Sequence, residues 1–274
     1  MGSTAPLIWF FVLSYGIAWG IWMLIAFMLP DLEASRGTFI TAPGAWAPTI
    51  SALIVTAKYE GRVGLRELWA QVSRWRIGWR FFTMAVFGPS ILGLCVILIH
   101  VGIGGEAPSL SDIGSGLDLP GELTTLLFAF PIIFLVLVVG GPLAEETGWR
   151  GFAQFRLQQR IGSGPAGIVI GLIWSLWHLP LIFIVPSGTG EITPWFYIPF
   201  VAFMGVIFAW GYNRTNHSVF FTILLHAGFN TFFAYRLVIS SGPLMLGIAL
   251  IITLALAVVA FQSMRGQTDV DIQT

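Results

Sequence analysis

The chain has 274 residues, of which 56% are hydrophobic and only 9% are charged, and its mean hydropathy is +0.85. Ordinary soluble domains carry about 25% charged residues, so this composition argues against a water-soluble fold. Lys plus Arg and Asp plus Glu number 13 each, so no basic field points to nucleic acid as a partner. The lipid bilayer is the partner that the composition implies.

Eight apolar stretches are predicted to be membrane-spanning helices, because a span needs about 20 mostly apolar residues. In chain order they are residues 7–29, 42–57, 81–101, 122–143, 165–185, 195–212, 218–237 and 243–261. The second and sixth are the shortest and are bounded or interrupted by prolines, which a helix buried among neighbours tolerates. The first is too long for a signal-peptide core, so we expect it to be retained. The predicted fold is all-α, a single polytopic domain over residues 1–274.

Between the second and third spans, residues 64–80 are predicted to form an interfacial amphipathic helix. An apolar stripe recurs at helical spacing at Leu65, Leu68, Trp69 and Val72. Trp75 and Trp79 follow among arginines. Trp and Arg side chains at headgroup depth anchor a helix to the membrane surface, so we expect an anchor here.

The distribution of basic residues predicts that both termini are cytoplasmic, because Lys and Arg accumulate in cytoplasmic connections. With eight spans, one side of the membrane carries Lys58, Arg62, Arg66, Arg74, Arg76, Arg80, Arg150, Arg156, Arg160, Arg214 and Arg265. The other side carries only Arg36 and Arg236. The first side is therefore predicted to face the cytoplasm.

The first group of charges near the hydrocarbon follows the fourth span. On a helix, Glu146 and Arg150 are i,i+4 neighbours and can pair, which leaves Glu145 without an obvious local partner. A desolvated carboxylate takes a proton from water more readily near neutral pH, which is the property of a general base. Alternatively, both glutamates lie in interfacial water and help Arg150 to hold the start of a cytoplasmic loop.

Two histidines lie inside later apolar stretches. His178 follows Trp174 by one helical turn, and His226 shares a helix face with Asn230. A lone histidine in an apolar helix is often a packing residue that is hydrogen-bonded to a carbonyl, and that interpretation stays open for each. Two such histidines together with a carboxylate pair favour a functional site.

This set of side chains is sufficient to hydrolyse an amide. Glu145 and His178 could hold and deprotonate a water molecule, while His226 and Asn230 could donate hydrogen bonds to the oxyanion. Alternatively, Glu145, His178 and His226 could bind zinc, since two imidazoles and a carboxylate form a common catalytic shell. No HExxH spacing occurs, so the metal stays undecided. In either case we expect a polar, water-filled cavity that reaches the site from the cytoplasmic side.

Taken in order, the three segments resemble the signature of the CAAX-protease and bacteriocin-processing family of intramembrane proteases, which includes the type II CAAX prenyl endopeptidases. The family pattern is EExxxR, then an aromatic residue followed by xxxH, then HxxxN. The matching residues are Glu145, Glu146 and Arg150, then Trp174 and His178, then His226 and Asn230. The resemblance covers about residues 120–235.

The resemblance implies a membrane-embedded endopeptidase in which Glu145 and His178 activate water and His226 and Asn230 stabilise the oxyanion. Glu146 and Arg150 would shape the site. Trp174 stands where the prenyl endopeptidases usually have Phe and would still supply an aromatic wall. The family is often labelled metalloprotease, but its glutamate-dependent mechanism implies no metal cofactor here, with zinc as the alternative.

The resemblance further implies that the protein lies in the plasma membrane of a prokaryote and acts on a peptide or protein substrate. It leaves open whether that substrate is lipidated. Two other functions compete with proteolysis. In a non-enzymatic binding or immunity scaffold, the polar cluster would only stabilise helix packing. In a proton or ion carrier, the buried carboxylates and imidazoles would form a relay, although the sequence lacks the internal repeats of many transporters.

Overall fold

A computed structural model describes residues 3–29, 34–111, 119–184, 194–234 and 242–265. Within these ranges every regular element is a helix. In chain order the helices are α1 (Ala5–Met28), α2 (Ala34–Ala45), α3 (Ala47–Tyr59), α4 (Gly61–Val72), α5 (Trp79–Gly102), α6 (Leu123–Gly140), α7 (Pro142–Glu146), the π-helix π1 (Thr147–Gln154), α8 (Phe155–Ile161), α9 (Ser163–Trp177), α10 (Leu179–Ile184), α11 (Pro194–Arg214), α12 (Val219–Ala234) and α13 (Pro243–Arg265). The all-α membrane fold predicted from the sequence is confirmed.

Six of the predicted spans coincide with helical segments that are long and apolar enough to cross a membrane. The two shortest predictions are among them. Residues 42–57 fall in Ile40–Tyr59, and residues 195–212 fall in Pro194–Arg214. Both segments are more than half buried inside the protein. Neighbouring helices therefore surround the segments that contain these prolines, which is the setting in which such breaks are tolerated.

The remaining two predicted spans contain shorter apolar helices. Residues 165–185 contain α9, which ends at Trp177, and residues 218–237 contain α12. Residues 185 and 235–237 lie outside the described part of the chain, as do the side chains of Arg36 and Arg236. These are the two stretches that carry His178 and His226, so His226 lies on a short helix and His178 follows the end of one.

The fourth predicted span continues beyond its expected end at residue 143 as an irregular helical segment that reaches Ile161. It breaks at Gly141, which separates α6 from α7, and Pro142 occupies the first turn of α7, where its missing N–H costs nothing. The π1 segment follows at once. A π-helix is rare and is frequently found at functional sites. The Glu145–Arg150 motif thus lies on non-standard helical backbone inside the protein.

Close packing of α9 on α11 holds this part of the fold together. Three glycines form the contact, and a Cβ atom built on Gly171 would lie only 2.7 Å from the Ala202 carbonyl oxygen. Small residues allow helix backbones to approach closely in a membrane, where van der Waals packing replaces the hydrophobic driving force. The approach fixes the helix that carries Trp174.

The interfacial segment differs in its bounds from the predicted helix over 64–80. Helix α4 runs from Gly61 to Val72, and residues 74–78 form an irregular connection that ends at Gly78 with φ 78°. A positive φ favours glycine and cannot continue a helix, so Trp79 begins the next span instead. Within α4, Trp69 lies off the buried stripe and is exposed, whereas Leu68 is buried.

Candidate active site

Four helical segments bring the predicted site residues into one buried cluster. Helix α7 supplies the two glutamates, π1 supplies Arg150, and α12 supplies His226 and Asn230. Trp174 lies on α9, and His178 caps its C-terminal end. The exposed fractions are 5% for Glu145, 0% for Glu146, 1% for Arg150, 9% for His178 and 5% for His226. None of these side chains projects toward a lipid-facing surface.

The first half of the buried cluster is an arginine–carboxylate–imidazole arrangement. Arg150 Nη1 donates to Glu146 Oε1 at 2.7 Å, so the predicted i,i+4 pair is formed. The same oxygen accepts from His226 Nδ1 at 3.0 Å, across 80 residues of sequence. Because Glu146 is fully buried, these two donors compensate the desolvation of Oε1, whereas Oε2 is buried without a hydrogen-bond partner among the described residues. Glu146 therefore fixes the orientation of His226 on α12.

Aromatic faces cover the Arg150 guanidinium. Its carbon lies 4.4 Å from the centroid of the Trp174 ring and 4.3 Å from that of Phe208. The negative face of an aromatic ring attracts a cation, most strongly where water is excluded. The arginine charge is thus held by one carboxylate and two rings rather than by solvent.

The second half of the buried cluster joins Glu145, Trp174 and His178. The Trp174 indole Nε1–H donates to Glu145 Oε2 at 2.7 Å, and His178 Nε2 lies 3.8 Å from the same oxygen. No local partner for Glu145 was expected from the sequence, and the family resemblance implied only an aromatic wall at Trp174. Glu145 in fact has a direct hydrogen-bond donor, 29 residues away in sequence.

The sequence suggested that His178 lies well inside a helix. In the structure it lies instead at a helix break. Pro180 follows two residues later and cannot donate an N–H, so α9 ends and the His178 N–H bonds to the Ser175 carbonyl. The Trp174 carbonyl accepts instead from His178 Nδ1 at 2.9 Å. Because a carbonyl oxygen only accepts, Nδ1 carries a proton and Nε2 of the neutral ring is left as an acceptor facing Glu145.

Asn230 approaches Glu145 over Gly141. A Cβ atom built on Gly141 would lie 3.4 Å from Glu145 Oε1 and 3.8 Å from Asn230 Nδ2. The carboxylate and the amide therefore converge on the break between α6 and α7. No local pattern in the sequence indicates that Gly141 faces these two side chains.

Two further aromatic residues surround His178 without having been predicted. The Trp177 ring packs edge-on against the imidazole with centroids 4.7 Å apart, and the Tyr197 ring does so at 5.8 Å. The Trp174 ring lies between the two imidazoles, 5.7 Å from His178 and 5.0 Å from His226. A high aromatic content is visible in the sequence, but it does not identify the rings that meet at this point.

The three side chains considered as zinc ligands do not form a metal-binding group in this arrangement. Within the described ranges, no three His, Cys, Asp or Glu side chains come together as a group that could hold a metal ion. One carboxylate oxygen of Glu145 accepts from Trp174, and Nδ1 of His226 donates to Glu146. These contacts engage one oxygen of Glu145 and the Nδ1 atom of His226, and leave Nε2 of both imidazoles outside them.

Comparison with known proteins gives two findings. Residues 127–232 match the family described as type II CAAX prenyl endopeptidase Rce1-like. The chain is similar to the protein named CAAX prenyl protease 2 of Methanococcus maripaludis, with 26% identity over 226 residues, which is 79% of this chain and 80% of the relative. The matched region contains every residue of the buried cluster, and the alignment extends well beyond it.

Proposed function

We propose that this chain, which is similar to the CAAX protease family and has apolar helices long enough to cross a membrane, is an endopeptidase whose reaction occurs at the buried cluster. Glu145 and His178 activate a water molecule, and His226 and Asn230 stabilise the oxyanion that forms. Glu146, Arg150 and Trp174 position these groups.

The first step is attack of water on the peptide carbonyl. Glu145 takes a proton from the water while His178 Nε2, the unprotonated ring nitrogen, accepts its other hydrogen and orients it. The water oxygen bonds to the carbonyl carbon, and the carbonyl oxygen becomes the oxyanion. When the intermediate collapses, the C–N bond breaks and Glu145 returns the proton to the leaving amine. The products are a carboxylic acid and an amine, and no protein nucleophile is needed.

Stabilisation of the oxyanion places a requirement on His226. Its Nδ1–H is already bonded to Glu146, so the ring donates from Nε2 only when it carries both protons. The Asn230 amide supplies a second, neutral donor on the same face of α12. Donors placed in advance where charge develops cost no reorganisation during the reaction.

One observation carries this proposal: the hydrogen-bonded contact of Trp174 with Glu145, beside the free Nε2 atom of His178, in a nearly solvent-free cluster. A structural polar cluster would pair each buried acceptor with its strongest available donor. Here the arginine pairs with Glu146, and Glu145 keeps only a neutral indole donor. A buried carboxylate that is held but not neutralised is suited to proton transfer.

The substrate is a peptide or protein that reaches the buried cluster from the cytoplasmic side or from lipid. We further propose that both termini face the cytoplasm of a prokaryote, which the excess of Lys and Arg on one side supports. The relative from Methanococcus maripaludis is named for a CAAX prenyl substrate, which makes prenylated C-terminal peptides the first class to assay.

Cleavage of prenylated and unprenylated peptides by the purified protein tests the proposal. Glu145→Gln and His178→Ala should each lower kcat/KM by at least about 10³-fold. The first change removes the base that takes a proton from the attacking water, and the second removes the group that orients that water. Chelator should leave the rate unchanged, because Glu145 and His178 supply the base without metal. Mass spectrometry of the products fixes the bond that is cut.

The matched control is Glu67→Gln, which removes an exposed carboxylate on α4 and should cleave normally. Each variant must also elute as a folded, monodisperse protein in detergent. Normal cleavage by Glu145→Gln or His178→Ala would refute the assignment. Loss of wild-type activity in chelator, with recovery on adding zinc, would replace the metal-free mechanism with the zinc alternative.

A further inference from the structure

A basic and aromatic surface on α4 lies apart from the buried cluster. It consists of Arg62, Arg66 and Trp69, which line a surface groove of about 330 Å³ together with Leu65. We propose that this surface, called here the α4 groove, binds the phosphate headgroup of an anionic phospholipid of the surrounding bilayer. The proposal rests on the membrane fold and not on the proteolytic activity.

Helix geometry directs the α4 groove away from the protein. At 3.6 residues per turn, the buried positions Gly64, Leu68 and Gln71 fall on one side of α4. Arg62, Arg66 and Trp69 follow the spacing i, i+4, i+7 and lie on the opposite side. The inner side is fixed by packing on π1, because a Cβ atom built on Gly151 would lie only 2.8 Å from the Leu68 side chain. A hydrogen bond of 2.5 Å, which the Tyr212 hydroxyl donates to Gln71 Oε1, holds the same side. The outer side therefore cannot rotate inward.

Connectivity places α4 at the membrane surface. The candidate span Ile40–Tyr59 ends immediately before α4, and the span Trp79–Gly102 begins a few residues after it. Both span ends must lie at the same face of the bilayer, so the twelve-residue helix between them lies at that face as well. Exposed indoles mark the depth, because Trp69, Trp75 and Trp79 are 69%, 63% and 72% exposed. Tryptophan concentrates at headgroup level.

The charges of the α4 groove are not used within the protein. Neither Arg62 nor Arg66 pairs with a carboxylate among the described residues, although Glu60 and Glu67 lie on the same segment. Glu60 is occupied by Arg156, which it binds through both oxygens at 3.0 and 2.5 Å. Two guanidinium groups at headgroup depth, without a carboxylate partner in the described part of the chain, attract an anionic headgroup. We expect each to strengthen lipid binding as much as any basic residue does near an anionic membrane surface.

The shape of the α4 groove favours a lipid over a soluble anion. Arg62 and Arg66 would hold the phosphate, while the Trp69 indole and the Leu65 side chain give the groove an apolar wall beside the upper part of an acyl chain. A free phosphate would use the arginines alone. A zwitterionic lipid would contact the apolar wall, but the arginines would repel the cationic group of its headgroup.

Thermal unfolding of the full-length protein in an uncharged detergent tests the proposal. Phosphatidylglycerol, phosphatidylcholine and inorganic phosphate are titrated separately, and the lipid concentration at half-maximal rise in Tm is measured. Phosphatidylglycerol should stabilise the protein most, and the effect should weaken in high salt. In Arg62→Gln/Arg66→Gln the half-maximal concentration should rise by about 25-fold, which is about fivefold for each arginine.

Two matched variants separate a specific groove from a general charge effect. Arg214→Gln/Arg265→Gln removes two basic residues at the ends of α11 and α13 and should bind as the wild type does. Arg62→Lys/Arg66→Lys keeps both charges and should lose less than Arg62→Gln/Arg66→Gln. If the double glutamine variant does not fold, each single variant should show its own fivefold loss, and native mass spectrometry should count fewer retained lipids.

Each contrary result overturns the proposal. An unchanged half-maximal concentration in the arginine variants would show that the α4 groove binds no headgroup. Equal losses in the Arg214/Arg265 control would indicate nonspecific attraction. Equal stabilisation by phosphatidylcholine would indicate apolar contact alone, and full stabilisation by millimolar phosphate would indicate a soluble anion as the ligand.

Discussion

At the scale of single residues, Trp174 connects the parts of the buried cluster more than any other side chain. Its indole donates to Glu145, its carbonyl accepts from His178, and its ring faces the Arg150 guanidinium. Only the first of these contacts depends on the indole nitrogen, because the second uses the backbone and the third needs only an aromatic face. The hydrogen bond can therefore be removed alone.

Trp174→Phe should lower kcat by about tenfold or more, while KM changes little. Removal of a hydrogen bond to a charged group costs about 1.5–3 kcal/mol, and Glu145 would be less well positioned as the base. The prenyl endopeptidases that this sequence resembles usually have Phe at this position, so activity should be reduced but not abolished. Steady-state kinetics on a cleaved peptide measure both constants.

Trp22→Phe is the matched control for this change. Its indole nitrogen is also buried and donates to the Thr41 carbonyl at 2.9 Å, away from Glu145. Both variants should lose thermal stability to a similar degree, but only Trp174→Phe should lose kcat. An equal fall of kcat in both variants would mean that Trp174 acts through general packing.

Sequence spacing predicted contacts within one helical segment and missed those between segments. The Glu146–Arg150 pair follows from i,i+4 geometry and is present. The Glu146–His226 and Glu145–Trp174 contacts join residues 80 and 29 positions apart. Such contacts depend on how helices pack, and no local pattern in the sequence encodes that packing.

At the scale of elements, the turn between α11 and α12 holds a half-buried histidine outside the membrane-spanning segments. His217 has φ 61°, and its Nε2 lies 3.2 Å from Asn213 Oδ1 and 3.4 Å from Gln158 Nε2. Its ring packs against Phe155 and Tyr212. Burial, and secondly the positive charge of Arg74, lowers the pKa of His217 below its ordinary value. The folded chain therefore favours the neutral ring.

Acidification should destabilise the fold through this turn. In the unfolded chain His217 takes up a proton as the pH falls through about 6.5, whereas the folded chain resists protonation to lower pH. The stability that the neutral ring provides is thus complete above about pH 6.5 and is lost as the pH falls toward the lowered pKa. His217→Asn, which tolerates the positive φ, should show a smaller fall in Tm between pH 7.5 and 5.5.

Differences in Tm between the two pH values are compared, because His217→Asn also loses packing and should melt lower at both. All other titrating groups are common to the two proteins and cancel in the comparison. An equal or larger fall in the variant would show that His217 does not contribute to acid sensitivity.

Helix positions were predictable from hydropathy, whereas helix interruptions were not. The span over residues 81–101 is present as α5, from Trp79 to Gly102. The break at His178 depends on Pro180 and on a side chain that takes over a backbone acceptor. The π-helix over Thr147–Gln154 gives no hydropathy signal at all. Both interruptions lie in the buried cluster, where the contacts between side chains determine the backbone conformation and a regular helix is not kept.

At the scale of the whole molecule, the apolar composition and its long apolar stretches were sufficient to predict an all-α membrane protein, because a continuous apolar run of about 20 residues satisfies its backbone in lipid as a helix. The prediction that three distant apolar stretches converge came from the positions of their polar residues. Burial of a charge is so costly that each such side chain requires a partner. The number of full crossings was less predictable, because α9 and α12 are short helices that only their neighbours define.

The orientation of the whole chain gives the last prediction. Helix α5 has 24 residues and is about 36 Å long at about 1.5 Å per residue, enough to separate Ser73 from Ser109 by a full bilayer. The excess of Lys and Arg predicts that Ser73 lies in the cytoplasm and Ser109 outside. In a Cys95→Ser background, a membrane-impermeant maleimide should label Ser109→Cys in intact cells and should label Ser73→Cys only after lysis.

Both serines are exposed, so both variants should react in lysed membranes, and the Cys95→Ser parent should not react at all. Labelling of Ser73→Cys but not Ser109→Cys in intact cells would invert the chain, and the basic α4 segment would then face the exterior.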